Sequence, residues 1–304
     1  MATVVFKVND EIKEKLIKFY EDKKRDKKVP YQVFQAQDGD TVVTLFESGK
    51  VMFQGVSADI DANMWKDISG VDKEEKKNTK EEYEKYYNAS CIGSDEVGTG
   101  DYFGPIVVTS AYVSKDDIPF LEKLGIKDSK KLDDDKIKKI VPELIKKVKY
   151  KSLILTNKEY NEKYNNEFNM NKIKAVMHNK VLWRMVHEEN LKYDYIIVDE
   201  FAKENRYYGY NEGNPNIQKG ITFITKAEDV NLAVAAASVI SRYIFLNEFD
   251  KICDSVHLPL PKGASTEVDK IGKEVVEKYG KEKLKEIAKY NFKNTERILE
   301  IKIM

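Results

Sequence analysis

Three acidic pairs stand where apolar, strand-like runs of this sequence end. They are Asp95-Glu96, Asp199-Glu200 and Glu228-Asp229. In α/β sheets, ligand sites form beyond the strand ends, where the loops supply polar groups. A single acid at such a position can simply cap the next helix. Three acidic strand ends in one region indicate a shared site.

Carboxylates that converge on one site repel each other. Two unit charges about 4 Å apart cost roughly 4 kcal/mol at an effective dielectric constant near 20, so the cluster must take up protons or bind cations. No histidine or cysteine accompanies these acids in the sequence. The expected ligands are therefore all oxygen, which favours Mg²⁺ or Mn²⁺ over zinc. Several carboxylates that hold two such ions suit the attack of water on a phosphodiester.

A glycine-rich turn follows the first acidic pair, with Gly98, Gly100 and Gly104 close together. Glycine permits unusual backbone conformations and lets the backbone approach a ligand without a Cβ atom in the way. Neighbouring side chains of a regular strand point to opposite faces. Asp95 and Glu96 can therefore share one site only if the chain bends there, and the glycines make such a bend feasible.

Composition limits the possible classes of protein. The 304 residues suffice for one large or two ordinary domains, and the net charge of zero means that any basic surface for nucleic acid must be local. The sequence lacks a run of about 18 apolar residues, so no membrane span is expected. Cys91 and Cys253 lie in no metal-ligand spacing, and free thiols in a reducing cytoplasm are expected.

Residues 1–70 predict a small α+β unit. The order is strand, helix, three-strand meander and helix, which gives an antiparallel sheet with both helices on one face. The other face would be free to meet a partner. Candidate contact residues in this unit are Tyr31, Gln32, Gln35, Lys50 and Gln54.

Residues 71–89 are almost all charged or polar and predict a linker between two domains. From residue 90 the pattern becomes α/β, with two strands around the glycine-rich turn and Asp133 as the expected cap of a helix. Further strands are predicted at 152–155, 195–200 and 220–228, and further helices at 133–148, 171–189, 233–252 and in the tail from residue 266.

The stretch from Gly93 to Pro105, GSDEVGTGDYFGP, resembles the signature of bacterial ribonuclease HIII, a relative of ribonuclease HII. Three further segments fit this family in the same order. The resemblance covers residues 90–300, and the layout of residues 1–70 is similar to the TATA-box-binding-protein-like (TBP-like) domain that the family carries. The three segments are Asp128-Ser129-Lys130-Lys131-Leu132, Val198-Asp199-Glu200, and Lys226-Ala227-Glu228 followed by Ala235 to Ser238.

The resemblance implies an α/β fold with an RNase H-like mixed sheet flanked by helices and a helical C-terminal tail in residues 90–304. It also implies a small N-terminal α+β (TBP-like) substrate-binding domain in residues 1–70. The implied activity is endonucleolytic hydrolysis of the RNA strand of RNA/DNA hybrids, leaving 5′-phosphate and 3′-hydroxyl ends. The implied cofactor is Mg²⁺ or Mn²⁺, with two ions during catalysis, in a monomeric cytoplasmic enzyme.

The resemblance also assigns site residues. The backbone of the turn at Gly98, Thr99 and Gly100 would read the 2′-hydroxyl that separates RNA from DNA. Ser129, Lys130 and Lys131 are candidates for phosphate contact. The family's four acids, which are both catalytic residues and metal ligands, fall on Asp95, Glu96, Asp199 and Glu228.

Some alternatives remain open from the sequence. One alternative is an HII-like nuclease that acts at single embedded ribonucleotides. Thr99 argues against it, because ribonuclease HII commonly has arginine or lysine at this position. A hybrid-binding module with an inactive nuclease-like scaffold is another. Solvated lysines at a helix N-terminus are an alternative for the loop at residues 127–132. His178, His187 and His257 are predicted to be structural rather than catalytic.

Overall fold

The computed structural model describes residues 2–26, 30–69, 84–165 and 167–301. The chain divides into two units, Met1–Glu82 and Tyr83–Met304. The predicted linker at 71–89 lies mostly outside the described residues, so it remains a prediction.

An antiparallel sheet with the strand order β1-β4-β3-β2 forms the N-terminal unit. Helices Asp10–Phe19 and Ala58–Ser69 accompany this sheet, and the side chain of Asn9 caps the first of them by accepting a hydrogen bond from Ile12 N. The predicted α+β order is confirmed. The strands are β1 (Ala2–Lys7), β2 (Gln32–Asp38), β3 (Thr41–Phe46) and β4 (Lys50–Gly55).

Alternation along these strands separates a buried face from an open one. Phe53 on the sheet and Leu16 and Trp65 on the two helices belong to one apolar cluster, which places both helices on the same face. The opposite face presents Val5 and Val33, each about half exposed, to solvent. The two helices thus leave one face of the N-terminal sheet open, as its sequence pattern predicts, although Gln35 and Thr44 on that face are buried.

The second unit is built on a mixed sheet with the strand order β7-β6-β5-β8-β9. Strands β5, β8 and β9 run parallel, while β6 and β7 are antiparallel to their neighbours. The parallel strands bring their carboxyl ends, and the acids there, to one edge of the sheet. The strands are β5 (Cys91–Val97), β6 (Ile106–Val113), β7 (Lys149–Leu155), β8 (Tyr195–Asp199) and β9 (Ile221–Ile224).

Two long helices cover opposite faces of this sheet. We call Leu232–Val256 the central helix and Met170–Glu188 the outer helix. The remaining helices are Ile118–Lys123, Asp134–Lys147, Asn157–Lys163, Glu204–Tyr210, Thr266–Ile287 with a kink at Gly280, and Lys293–Leu299, with 3₁₀ turns at Glu21–Lys23, Lys115–Asp117, Ile126–Lys131 and Ala227–Asp229.

The structure differs from the expected elements in four places. Helices Asn157–Lys163 and Glu204–Tyr210 are not predicted from the sequence, because each is too short to show a clear apolar period. The predicted loop at 127–132 forms the 3₁₀ turn Ile126–Lys131, after which Asp133 caps the next helix as expected by accepting from Lys136 N. Strand β9 ends at Ile224, so Glu228 lies in a separate 3₁₀ turn rather than at the strand end.

Small residues bring the central helix against β5. A Cβ atom on Gly93 would lie 2.2 Å from the backbone nitrogen of Val234, so only glycine permits this approach. By length and composition the central helix is apolar enough to cross a membrane, but 67% of its apolar 18-residue stretch is buried inside the folded unit. It is therefore the core helix of this sheet.

Candidate active site

Asp95 and Glu96 lie in a part of β5 that remains regular. Their backbone positions pair with Thr109 and Val108 on β6, and the strand continues to Val97. The chain turns only at Gly98, whose φ is +89°. The bend that would bring both side chains to one face is therefore absent from the strand as far as Val97, and the two carboxylates leave it on opposite faces.

The Asp95 side chain faces the central helix. One of its oxygens, Oδ1, accepts a hydrogen bond from Glu96 N at 2.8 Å, and Ser238 of the central helix also donates to the carboxylate. Burial, together with the negative charges of Glu96 and Asp199, raises the pKa of Asp95 from 3.8 to about 7. The ionised form of Asp95 is thus disfavoured in this environment.

The Glu96 side chain faces the outer helix, where two basic side chains hold it. His178 Nε2 lies 2.8 Å from Glu96 Oε2, and Lys174 forms an ion pair with Oε1. Burial alone would raise the pKa of Glu96, but the His178 hydrogen bond and the charge of Lys174 outweigh it, so the pKa lies below its ordinary value. Glu96 is therefore ionised.

His178 itself is completely buried and uses both ring nitrogens. Its Nδ1 lies 2.7 Å from Ser94 Oγ, two residues before Glu96 on the same face of β5. Because an ionised carboxylate can only accept, the His178 ring donates from Nε2 to Glu96, while its Nδ1 is hydrogen-bonded to the Ser94 hydroxyl. The chain Ser94–His178–Glu96 fixes the direction of this carboxylate.

Asp199 ends β8, the parallel neighbour of β5. The register pairs Ser94 with Val198, so Asp199 follows at the level of Asp95 and on the same face of the sheet. Asp199 Oδ1 accepts from Ala227 N at 2.9 Å. Burial raises the pKa of Asp199, and the charges of Glu228 and Glu96 add to this increase.

Glu228 lies in the turn after β9 and has one satisfied and one unsatisfied carboxylate oxygen. Its Oε1 pairs with Lys130 Nζ at 2.7 Å. Its Oε2 is buried and has no hydrogen-bond partner within the described parts of the chain. A buried carboxylate oxygen without a donor is unfavourable, and a bound cation would relieve that cost.

The four acids lie within electrostatic range of each other but do not form a closed set of ligands. Among the residues that the structure describes, no group of three or more His, Cys, Asp or Glu side chains is close enough to hold a metal ion. Each carboxylate is balanced separately. Lys174 pairs with Glu96, Lys130 pairs with Glu228, and Asp95 favours its protonated form.

The glycines of the turn have different physical roles. A Cβ atom on Gly98 would lie 2.1 Å from Pro105 O, and one on Gly104 would lie 2.8 Å from the Phe249 ring. Both glycines also have positive φ angles, so they are needed for the turn itself. Gly100 has open space where its Cβ would lie, and it is exposed beside the half-buried Thr99.

The candidate phosphate-contacting residues lie in the 3₁₀ turn Ile126–Lys131. Ser129 is buried, whereas Lys130 and Lys131 are exposed. Lys130 Nζ lies 2.7 Å from carboxylate oxygens of both Glu228 and Asp229. Hydrogen bonds to Asp229 and Glu228 raise the pKa of Lys130. This lysine therefore lies beside two of the acids at this edge of the sheet.

Sequence reasoning did not assign Lys174 and His178 to the site. They are separated by four positions on the outer helix, which places them on one face. The indication that the sequence does contain is the position of these two basic residues within a largely apolar helical face. The sequence does not show that this face covers Glu96, because that depends on how the helix packs across the sheet.

Known proteins resemble this chain along almost its full length. A family model described as Ribonuclease HII matches residues 92–295. Ribonuclease HIII from Bacillus cereus is 37% identical over 306 residues, covering 98% of each chain. The chain belongs to the ribonuclease HIII family. It is therefore a type 2 ribonuclease H, an endonuclease of the hydrolase class, so the inactive-scaffold alternative is set aside.

Solved structures agree with membership of the ribonuclease HIII family. Bst-RNase HIII in complex with Mn²⁺ matches with a TM-score of 0.70 and 34% identity over 98% of both chains. The Aquifex aeolicus RNase H3 structure, at 22% identity and a TM-score of 0.55, shares the fold. The N-terminal residues 3–80 match a model described as Domain of unknown function (DUF3378). The predicted RNase H-like fold is confirmed.

Proposed function

We propose that this ribonuclease HIII cleaves the RNA strand of RNA/DNA hybrids with Mg²⁺ or Mn²⁺, leaving 5′-phosphate and 3′-hydroxyl ends. The observation that carries the proposal is the group of acids at the carboxyl edge of the sheet, whose negative charges are only partly compensated by neighbouring groups. Burial and neighbouring acids raise the pKa of Asp95 to about 7, and Glu228 Oε2 is buried without a donor among the described residues. Both features are expected where a cation completes the site.

The donor types suit a hard divalent ion, because every proposed ligand is a carboxylate oxygen, although the four side chains are not gathered into one ligand set among the described residues. Asp95 and Asp199 would hold it from adjacent parallel strands, while Glu228 and Glu96 would complete the ligand set from the turn after β9 and from the other face of β5. When bound, two such ions polarise water and stabilise the leaving oxygen of a phosphodiester. The Bst-RNase HIII structure with Mn²⁺ supports this choice of ion.

The chain's own residues would orient the substrate. The exposed backbone at Gly100, next to Thr99, is free to approach a ribose 2′-hydroxyl, which a side chain at this position would obstruct. Lys130 would exchange Glu228 and Asp229 for a substrate phosphate, with Ser129 and Lys131 beside it. His178 would hold Glu96 in a fixed direction throughout.

The N-terminal unit would add affinity for the hybrid through its uncovered sheet face. This face carries the exposed Gln54 and the half-exposed Val5 and Val33, whereas Gln35, which donates from Nε2 to Thr44 Oγ1 at 2.9 Å, is buried. Deleting residues 1–75 is expected to weaken hybrid binding while the isolated second unit retains slow cleavage.

We further propose that the enzyme acts as a monomer in the cytoplasm.

A uniformly paired RNA/DNA hybrid tests the proposed function directly. The wild-type protein should cleave it only with Mg²⁺ or Mn²⁺, and Asp95→Asn should abolish cleavage while hybrid binding survives. The matched control is Asp116→Asn, which neutralises an exposed carboxylate in the 3₁₀ turn Lys115–Asp117 near the other end of the β5–β6 pair. Normal cleavage by Asp95→Asn would reject the assignment of the metal site.

A DNA duplex with one embedded ribonucleotide distinguishes the HII-like alternative. Thr99 in the turn favours weak cleavage of this duplex relative to the uniform hybrid. Efficient cutting at the single ribonucleotide would overturn the HIII-like substrate preference but not the nuclease assignment.

A further inference from the structure

A completely buried lysine contacts the glycine-rich turn from the far end of the chain. Lys289 follows helix Thr266–Ile287 and is 0% exposed. Its Nζ donates to the carbonyl oxygens of Asp101 at 2.7 Å and Gly104 at 2.6 Å. Within the described part of the chain, no carboxylate lies at salt-bridge distance from this ammonium. Its hydrogen bonds therefore go to the backbone of the turn.

Backbone hydrogen bonds reinforce the same contact. Lys289 N donates to Tyr102 O at 2.8 Å, and Gly104 N donates to Ile287 O at 3.1 Å. The segment around residue 288 thus pairs with the turn like a short antiparallel strand, with an isolated bridge between Phe103 and Ala288. Main chain and side chain together fix the carbonyl directions between residues 101 and 104.

A second C-terminal contact fixes the beginning of this segment. Asp101 Oδ1 accepts from Gly263 N at 2.6 Å, and Tyr102 N donates to Gly263 O at 2.8 Å. The Tyr102 hydroxyl lies 2.9 Å from Thr295 Oγ1. Residues that are more than 150 positions away in the sequence therefore determine the conformation of this turn.

The exposed part of the turn lies between two fixed points. On one side Gly98 packs so closely against Pro105 O that no side chain fits there. On the other side Asp101 is held by Lys289 and Gly263. The half-buried Thr99 and the exposed Gly100 form the apex between these points. Fixing both ends limits how far the apex can move.

A buried lysine is an expensive way to stabilise a fold. An apolar side chain of similar volume usually serves stability as well or better, because the ammonium loses its hydration. Burial lowers the pKa of Lys289 to about 7. A neutral amine still has two N–H donors, so the contact to both carbonyls persists on either side of that pH. An apolar residue could not supply these two directed hydrogen bonds to the carbonyl oxygens of Asp101 and Gly104.

We propose that Lys289 is a positioning residue for the cleavage reaction: it fixes the Asp101–Gly104 backbone and thereby the approach of the Thr99–Gly100 apex to the ribose. The proposal rests on the proposed function of that turn. It assigns the C-terminal segment a role in distinguishing RNA from DNA, in addition to its packing role.

The test compares two variants at buried positions in the C-terminal part of the chain, one in helix Thr266–Ile287 and one just after it. Lys289→Met keeps the length and apolar stem of the side chain but removes both donors. Val275→Ala creates a small cavity at a fully buried position of helix Thr266–Ile287 and leaves the hydrogen bonds of the turn intact. Thermal unfolding of both variants sets an assay temperature at which each is fully folded.

Two kinetic quantities are then measured on RNA/DNA hybrids. The first is kcat/KM on a uniform hybrid, which should fall about ten- to hundredfold in Lys289→Met, since small misplacements in an active site have effects of this size. The second is the ratio of kcat/KM for hybrids with 2′-hydroxyl and with 2′-fluoro groups at the cleaved position. This ratio should fall in Lys289→Met and remain at the wild-type value in Val275→Ala.

Asp101→Ala provides a second perturbation if Lys289→Met does not fold. It removes the acceptor for Gly263 N from a partly exposed side chain and should lower the same ratio. The proposal is overturned if the folded turn variants match Val275→Ala in both quantities. Failure of the wild-type protein to cleave any hybrid would instead reject the proposed function, so the two failures are distinguishable.

Discussion

Replacing Asp95 by asparagine is expected to stabilise the protein in the absence of divalent ions, even though the change removes a proposed metal ligand. Burial and the charges of Glu96 and Asp199 make an ionised Asp95 unfavourable in the fold. Asparagine has nearly the same shape, can still accept from Glu96 N and carries no charge. The variant therefore lacks the electrostatic penalty of an ionised carboxylate buried at this position.

The size and sign of the effect follow from the pKa of Asp95. It rises from 3.8 to about 7 on folding, and each pKa unit corresponds to about 1.4 kcal/mol. Below pH 4 the carboxyl group is protonated in both states, and the two proteins should be similarly stable. Between pH 4 and pH 7 the unfolded wild-type chain ionises first, so its free energy of unfolding falls as pH rises. Above pH 7 the variant should be more stable by up to about 4 kcal/mol.

Urea denaturation with EDTA present, repeated between pH 4 and pH 9, measures this difference. Asp116→Asn serves as the control, because it removes an exposed carboxylate and should change the free energy of unfolding by less than about 0.5 kcal/mol. Adding Mn²⁺ should then stabilise the wild-type protein and have little effect on Asp95→Asn. Equal stability of Asp95→Asn and wild type at pH 8 in EDTA would refute the reasoning.

Four further substitutions test the surroundings of these acids and the packing of β5. His178→Ala releases Glu96 and should raise the divalent-ion concentration for half-maximal activity about ten- to hundredfold, whereas an unchanged metal titration would count against a positioning role. Gly98→Ala should lower the free energy of unfolding by more than about 1 kcal/mol, because its Cβ would lie 2.1 Å from Pro105 O at positive φ. Gly100→Ala should instead unfold like the wild-type protein but bind an RNA/DNA hybrid more weakly. Gly93→Ala should be strongly destabilising in chemical denaturation, since its Cβ would meet the Val234 backbone at 2.2 Å; wild-type stability would show that the central helix can move away.

Much of the fold is readable from local patterns in the sequence. Alternation of apolar residues predicts the four strands of the N-terminal sheet and its uncovered face. Short apolar runs ending in acids predict the strands that carry Asp95 and Asp199. These features are local because the two-residue period of a strand and the capping of a helix depend on near neighbours. Helix Asn157–Lys163 escapes such reasoning because it is shorter than two full apolar periods.

The environment of each acid was decided by tertiary structure. The sequence places Asp95 and Glu96 side by side, but only sheet packing shows that one meets Ser238 and the other meets His178. A lysine near the C-terminus resembles any solvated surface lysine in the sequence, yet Lys289 is buried against Gly104. The sequence alone determined which carboxylates are available as oxygen ligands and where glycine lets the backbone turn, because these depend on residue type and local spacing. Which helix covers which face, and thus which charges and donors meet, arises from contacts between distant segments that form only when the sheet and its helices pack together.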